Sequence, residues 1–575
     1  MKNVYSGSQA IRFGTFELDV QAGELRKQGV KIKLQEQPLR VLELLLANPG
    51  QLVTREELRR VLWPTNTLVD FDHGLNRSIN KLREALGDSA ESPRFIETLA
   101  KRGYRFVGGP GSGPAEIRSL LVLPLENLSQ DPEQGYFADG LTETLTTTLA
   151  KISALRVLSR TTAVFYKRAQ KTLPDIAREL GVDGVVEGTV LRSEGRVRIS
   201  AQLLHAPTDT HLWADSYDRD LRDILALQAE VAAAIAKEIR VKVTPHEQMQ
   251  LAHAPVVDPE AYDAYLRGRF YWDKRTPDAM RMAIELFEQA IARDPSFSAA
   301  HAGRAECTGA LGWWGYVPPA EAFPKAKRQA LKVIELDPGL AHGHAVFAWA
   351  TLHYDYDFLT AEEQFRRAIE LDPRSSLAHY RLALSLTYVG RFEEAIDEAE
   401  CAVSLDPLSA MPNAALSWTY WFARQFDRVL AHARTKVELH ADVPYIHWAV
   451  AMGNLEIGNF NAAIPSMQLA VETSGRATLF LAILSETHAV AGHRDDALAI
   501  LHRLQEGSGQ RYVTPYMFGR IYAALGQKDE AFRWLDIAYE QRAPWMVLLK
   551  RDPRLDSLRS DPRYEALLRR MNFPS

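Results

Sequence analysis

Asp-Pro pairs recur through the second half of this 575-residue chain at a spacing that points to repeated structural units. They stand at Asp294-Pro295, Asp337-Pro338, Asp372-Pro373 and Asp406-Pro407, with the prolines 43, 35 and 34 residues apart. Proline lacks an N–H and its ring clashes with the preceding turn, so each pair marks a helix end. Ahead of three of them lie small and aromatic residues at helical spacing: Ala283, Phe287 and Ala290; Ala361, Phe365 and Ala368; Ala395, Ala399 and Ala402. Small residues let paired helices approach closely, and an aromatic ring fills the adjacent gap. Where the Asp-Pro signature fades, glycines keep the beat at Gly390, Gly458, Gly492 and Gly526, spaced 68, 34 and 34 residues apart. The wider first interval of 43 residues holds an insertion near Trp313-Trp314. Such a period predicts stacked helix pairs, each burying its apolar face against its neighbours.

The pattern resembles the tetratricopeptide family over about Pro259 to Ala543, with about eight helix pairs. The resemblance implies an all-α solenoid over residues 258–543 whose concave groove binds a protein or peptide partner. Tyr380, Asn413, Tyr420 and Asn454, on first helices of repeats, are the expected groove-lining residues. Residues 544–575, including LLKRDPRLDSLRSDPRYEALLRRM, look like the segment that caps such an array.

The N-terminal hundred residues carry other periodicities. Leu75, Ile79, Leu82 and Leu86 recur at steps of four, three and four, which places them on one face of a helix. The opposite face carries His73, Arg77, Asn80 and Lys81, flanked by Asn76 and Arg83. Arg and Lys donate to guanine edges and Asn bridges adenine, so this face has the vocabulary of major-groove readout. A short hairpin follows, placing Lys101, Arg102 and Arg105 on or near a tip at Gly103, within reach of phosphates or a minor groove. Arg83 also suits a structural ion pair, and Arg105 the packing of the hairpin. Trp63 and Tyr104 suit a core. Upstream, apolar alternation from Phe13 to Leu34 around turn residues predicts a small antiparallel sheet. A helix from about Pro38 stops at Asn48-Pro49-Gly50. Thr54 with Glu57 makes a capping box that starts a second helix, where Thr54 and Arg55 are candidate DNA-backbone contacts.

This order of elements is a helix-turn-helix with a wing. With the motifs NPGQLVTREELRRVLW, VDFDHGLNRSINKLREALGD and FIETLAKRGYRFVG it resembles the OmpR-type winged-helix domain, in the branch shared with CadC-like regulators. The resemblance covers the expected domain at residues 10–108 and implies an α+β fold. Its helix from His73 to Leu86 would enter the major groove of promoter DNA, with the wing in the minor groove. It also implies action as a homodimer on paired half-sites, with RNA polymerase a further candidate partner. About ten residues precede the first strand, so phosphorelay input is not expected.

A Gly/Pro-rich stretch at residues 109–116 reads as a flexible linker. Residues 117–245 mix strands and helices as an α/β module. Through LPLENLSQDPEQGYFADGLTETL, GVDGVVEGTV and HLWADSYDRDL they resemble the TolB N-terminal-like domain, an interaction or ligand-sensing module. Its carboxylates Asp139, Glu143, Asp215 and Asp218 read as solvated or capping groups rather than a metal or acid pair. The net charge of −5 excludes a nucleic-acid coat protein but not one basic module within a larger chain.

The two cysteines, Cys307 and Cys401, make neither a disulfide framework nor a metal site, and His342 and His344 lack partners at ligand spacing. There is no P-loop, HExxH, GxSxG or CxxC motif, so neither catalysis nor a cofactor is expected. No apolar run reaches the roughly 18 residues of a membrane span. The expectation is a cytoplasmic one-component transcription regulator with sensing or protein-interaction input. The alternative is an interaction scaffold whose winged helix binds no specific DNA.

Overall fold

The computed structural model describes residues 10–13, 16–20, 22–27, 30–63, 71–90, 93, 95–99, 102–107, 117–129, 131, 134–168, 171–193, 195–239, 243–244, 247, 257–507 and 512–574. Two compact units form, residues 1–116 and 117–575. The linker expected at 109–116 lies outside the described residues.

The first unit opens with an antiparallel sheet in the order β1 (Ile11–Phe13), β2 (Phe16–Asp19), β3 (Glu24–Lys27), β4 (Val30–Ile32). Helix α1 (Glu36–Ala47) follows, then β5 (Leu52–Thr54), α2 (Arg55–Leu62) and α3 (Phe71–Leu86). A hairpin of β6 (Ile96–Leu99) and β7 (Gly103–Phe106) pairs with β5 into a second sheet, ordered β5-β7-β6. Leu75, Ile79, Leu82 and Leu86 are all buried, as their spacing predicts, against Val41, Leu42, Leu45 and Leu58. Four phenylalanines tie the first sheet to the hairpin: Phe13 meets Phe106 edge-on at 5.4 Å, and Phe16 meets Phe95 at 5.6 Å.

In the second unit, β8 (Ser119–Val122) lies parallel to β10 (Arg156–Val157) and to β11 (Gly184–Ser193). Two long antiparallel strands, β12 (Arg196–His205) and β13 (Thr210–Asp220), extend the sheet, and β9 (Glu126–Asn127) pairs with β11. Helices α4 (Gly135–Ala150) and α7 (Ile224–Glu238) cover one face; α5 (Arg160–Arg168) and α6 (Leu173–Leu180) complete the α/β module. Asp139, Glu143 and Asp218 are engaged in ion pairs with Arg160, Arg269 and the Arg196–Arg198 pair.

Eight helix pairs follow among the described residues, from Pro259–Asp273 with Pro277–Arg293 to Pro515–Ala524 with Lys528–Glu540. The nine small and aromatic residues ahead of the Asp-Pro pairs are all fully buried. The 68-residue interval between glycines has a direct cause. Tyr356, Gly390, Arg424, Gly458, Gly492 and Gly526 stand 34 residues apart in the inter-helix turns, with φ of 57°, 94°, 61°, 73°, 82° and 76°. Arg424 takes the left-handed turn position that glycine fills elsewhere, at the steric cost an L residue bears there.

The α/β module and the first repeats share one apolar core. Gly140 on α4 admits this contact, because a Cβ there would stand 2.5 Å from Leu266 Cδ2. Around it, Arg192 pairs with Asp263, Arg269 Nη2 donates to Glu143 at 2.6 Å, and Arg374 Nη2 donates to Ser153 O at 2.7 Å. Asp406 is half-buried at the same junction and accepts from Ser159 Oγ. Burial pushes its carboxyl up from the usual 3.8 to about 6. A raised folded-state pKa means that the native chain holds this proton more tightly than the unfolded one. The stability it contributes is therefore full below pH ~4 and lost as pH rises through ~6. Between those limits the wild type is expected to lose roughly 2–3 kcal/mol relative to Asp406→Asn, read from urea unfolding at both pH values. Equal pH slopes for the two proteins would refute the linkage.

The C-terminal residues do more than cap the array. Arg563 and Arg570 pair with Asp529 and Asp536 on the last helix pair, while residues 544–558 double back across helices of earlier repeats. Trp545 Nε1 donates to Trp313 O at 3.1 Å, and Tyr356 OH donates to Ala543 O at 3.0 Å. Arg551 Nη2 donates to Val389 O at 3.1 Å, while Arg424 and Arg554 pair with Asp556 and Glu456. First helices such as Ala410–Phe422 are consequently buried on almost every side.

Candidate nucleic-acid interface

Helix α3 is amphipathic in the sense required of a DNA reader: its leucine face is sealed in the core while Asn76, Arg77, Asn80 and Glu84 are exposed on the other. Arg77 and Asn80 project together from the solvent side. Asn76 is different, because it is held from behind. Tyr104 OH donates to its Oδ1 at 3.0 Å and Arg55 Nη2 donates to the same oxygen at 3.2 Å. Arg55 also donates to Tyr104 OH at 3.2 Å and lies over the Tyr104 ring. With its oxygen fixed, the Asn76 amide has a set orientation, which lowers the entropy cost of binding through its Nδ2 donors. Lys81 is half-buried, and its Nζ donates to Gln35 Oε1 at 2.6 Å.

Two candidates occupy other roles, and the wing tip lies elsewhere than expected. Arg83 is 7% exposed, its Nη2 donating to Ile96 O at 2.7 Å and Thr98 Oγ1 at 2.8 Å. It fastens α3 to β6 and does not project into solvent with Arg77 and Asn80, a correction to its placement among the exposed reading residues. Arg105 sits mid-strand in β7, half-buried and paired with Glu97 at 3.4 Å, so it belongs to hairpin packing. Gly103 is not the wing tip but the first residue of β7. There a Cβ would come within 2.1 Å of Val53 O, at a φ of 155° that side chains rarely adopt. The turn precedes it, closed by Arg102 N donating to Leu99 O at 2.9 Å, and Arg102 is exposed. Lys101 lies outside the described residues; His73 lies in α3, but its side chain is not among those described.

Thr54 forms the expected capping box. Its Oγ1 accepts from Glu57 N at 3.2 Å and Glu57 Oε2 accepts from Thr54 N at 2.8 Å. These bonds hold the Glu57 carboxyl below its usual range. Arg55 N donates to Arg102 O at 3.1 Å, so the start of α2 is joined to the wing turn. Trp63 packs edge-on against Phe71 at 5.2 Å and Tyr104 is buried, both as core residues. Asp88, at the end of the α3 motif, accepts from the N–H groups of Phe95 and Ile96 and ties the loop to the hairpin base.

Residues 29–106 match the family described as transcriptional regulatory protein, C terminal. The N-terminal unit is an OmpR-type winged helix. The transcriptional regulator HilA of Salmonella typhimurium is 24% identical to this chain over 404 residues, which are 67% of the chain and 68% of HilA. A putative adenylate cyclase 3 of Rhizobium meliloti is 38% identical over 286 residues, 48% of the chain and 41% of that protein. The chain therefore spans about two fifths of the length of this second relative. Among solved structures, the human IFIT1 dimer with m7Gppp-AAAA has a TM-score of 0.38 at 12% identity, covering 55% of this chain and 78% of that one. Among the described residues, no helix is long and apolar enough to cross a membrane.

The expected groove residues fare differently in the helical array. Asn413 is fully buried, donating to the carbonyls of Pro407 and Ser409 at 3.0 and 2.7 Å. It holds the repeat position of His301, His344 and His379, each bonded to the proline carbonyl six residues earlier. That register also accounts for His344, while His342 pairs with Glu306. Asn454 is buried, donating to Val450 O at 2.9 Å. Tyr420 is 5% exposed, its OH donating to Glu400 at 2.8 Å beneath the Arg428 guanidinium. These three pack helices together and do not line a groove. Tyr380 alone of the four lines open space, in a cavity whose other walls include Trp314, Arg381 and Tyr445. The only sequence sign of that cavity is the Trp313-Trp314 insertion.

Proposed function

We propose that this protein is a one-component transcription regulator that binds promoter DNA through its winged helix and acts by regulation rather than catalysis. The observation that carries the reading is the exposed row Asn76–Arg77–Asn80 on a helix whose opposite face is sealed in the core, beside an exposed wing arginine, Arg102. In this reading α3 lies in the major groove and Arg102 contacts the backbone or minor groove. Thr54 and Arg55 lie at the N-terminus of α2, where phosphate is favoured. The protein would act in the cytoplasm as a homodimer on paired half-sites, with RNA polymerase as a further partner. The α/β module and helical array, packed as one unit, would supply the input.

Duplex binding measured by salt titration tests this. Affinity is expected to fall with log[salt] at a slope of about 0.9 per phosphate neutralised. Arg77→Ala should cost about 1–3 kcal/mol on the preferred site and relax the preference there. Arg102→Ala should weaken all duplexes alike and lower the salt slope by about one. Arg83→Ala should instead lower the melting temperature of the winged helix, because two buried acceptors lose their donor. Binding that is absent, or unchanged by salt, would rule out the DNA reading.

A further inference from the structure

Helices of the array line a cavity of about 660 Å³ that is partly open to solvent. A volume of this size suits a small molecule, whereas an extended peptide needs a continuous open groove. The walls are aromatic and stacked: Trp314 lies against Tyr445 at 5.8 Å and against Phe480 at 6.2 Å. Trp272 and Tyr380 continue the surface.

The floor carries a cation. Arg381 is 6% exposed, with its guanidinium 4.7 Å from the Trp349 ring centroid. Its Nη2 donates to Glu306 Oε1 at 3.0 Å, but its Nη1 has no hydrogen-bond partner among the described residues. A buried guanidinium N–H left without an acceptor is costly; Nη1 is shielded from the open space as it stands, so a small turn of the side chain toward an anion in the cavity recovers that cost. Glu306 does not neutralise the surplus alone, because it also accepts from His342, and the nearby cations hold its carboxyl far below the usual range. At the rim, Arg275 stacks on Trp272 at 3.8 Å and Lys274 on Phe270 at 4.5 Å. Neither has a carboxylate within 4 Å among the described residues. Of the acidic rim residues, Asp273 is paired with Arg160, while Asp442 and Glu472 are solvent-exposed. Arg381 thus sits beside Glu306 at the buried end, while the unpaired cations Arg275 and Lys274 share the exposed rim with the acidic residues.

We propose that this cavity is a binding site for a small organic oxyanion with a flat, apolar body, its anionic head directed to Arg381 and Arg275 and its rings among Trp314, Tyr380 and Tyr445. The site belongs wholly to the C-terminal unit, so it goes beyond the DNA-binding reading and does not depend on it.

The test uses two fluorescent probes with the same ring system, anilinonaphthalenesulfonate and the neutral phenylnaphthylamine, titrated into the full chain. One saturable site per chain is expected, with the sulfonate bound about tenfold more tightly than the neutral probe. Arg381→Gln should abolish that preference. Arg275→Gln, at an exposed position that leaves the fold intact by circular dichroism, should reduce it several-fold. Tyr445→Ala should weaken both probes. Equal affinity for the two probes would overturn the proposal, as would a sulfonate site that Arg275→Gln leaves untouched, or numerous weak sites without saturation.

Discussion

Trp545→Ala is expected to destabilise the C-terminal unit by about 3–5 kcal/mol, a large share of the 5–15 kcal/mol typical of a folded domain. Trp545 is the wedge of the returning C-terminal segment. It is 5% exposed, stacks on Trp313 at 4.9 Å, and packs against Trp448 with ring centroids 6.0 Å apart. Its indole N–H satisfies Trp313 O, a carbonyl 232 residues away in sequence. Truncation removes the ring, leaves a cavity between Trp313 and Trp448 and orphans that carbonyl at once. Urea unfolding followed by tryptophan fluorescence should show an earlier transition of the C-terminal unit. DNA affinity should hold at temperatures where that unit remains folded. A loss under 1 kcal/mol would mean that the segment merely lies on the array.

Arg520→Met is expected to cost a similar 3–5 kcal/mol, for an electrostatic reason. Arg520 is 2% exposed and donates to both carboxylate oxygens of Glu486, at 2.9 and 2.8 Å, with Asp552 Oδ2 3.5 Å from its Nε. Without it, Glu486 and Asp552 remain as buried carboxylates facing one another. Asp552 keeps the Tyr516 hydroxyl and Glu486 keeps Arg554 at 3.6 Å, so the loss should not exceed that range. The double variant Arg520→Met with Glu486→Leu should recover part of the stability, because it removes a buried charge with its partner. If the double variant is as unstable as the sum of the two single ones, the pair is not coupled.

Much of the fold was legible because its signals are local. The 34-residue beat, the buried alanines and phenylalanines before each Asp-Pro pair, and the Thr54–Glu57 cap all depend on neighbours within one or two helical turns. The face of α3 was legible for the same reason, since 100° per residue sorts Leu75 from Arg77 without any knowledge of the rest. Arg83 was not, because its acceptors come from β6, and a cation at the edge of the polar face reads like its neighbours until the hairpin folds over it. Asn413 and Asn454 failed for a related reason. A polar residue on a first helix lines a groove only if its side chain points there, and these two turn inward to carbonyls of their own helix and the turn before it.

By itself, then, the sequence determined the kinds of element, their periods and the recognition face of the winged helix, all of which are set by backbone geometry and side-chain spacing. Only the tertiary structure decided which cations are spent internally, that the segment after Ala543 returns among earlier repeats as well as packing on the last one, and that an arginine-floored cavity remains between the helices. Those outcomes depend on contacts between residues up to 232 positions apart, and no local pattern encodes which distant carbonyl or carboxylate a side chain will meet.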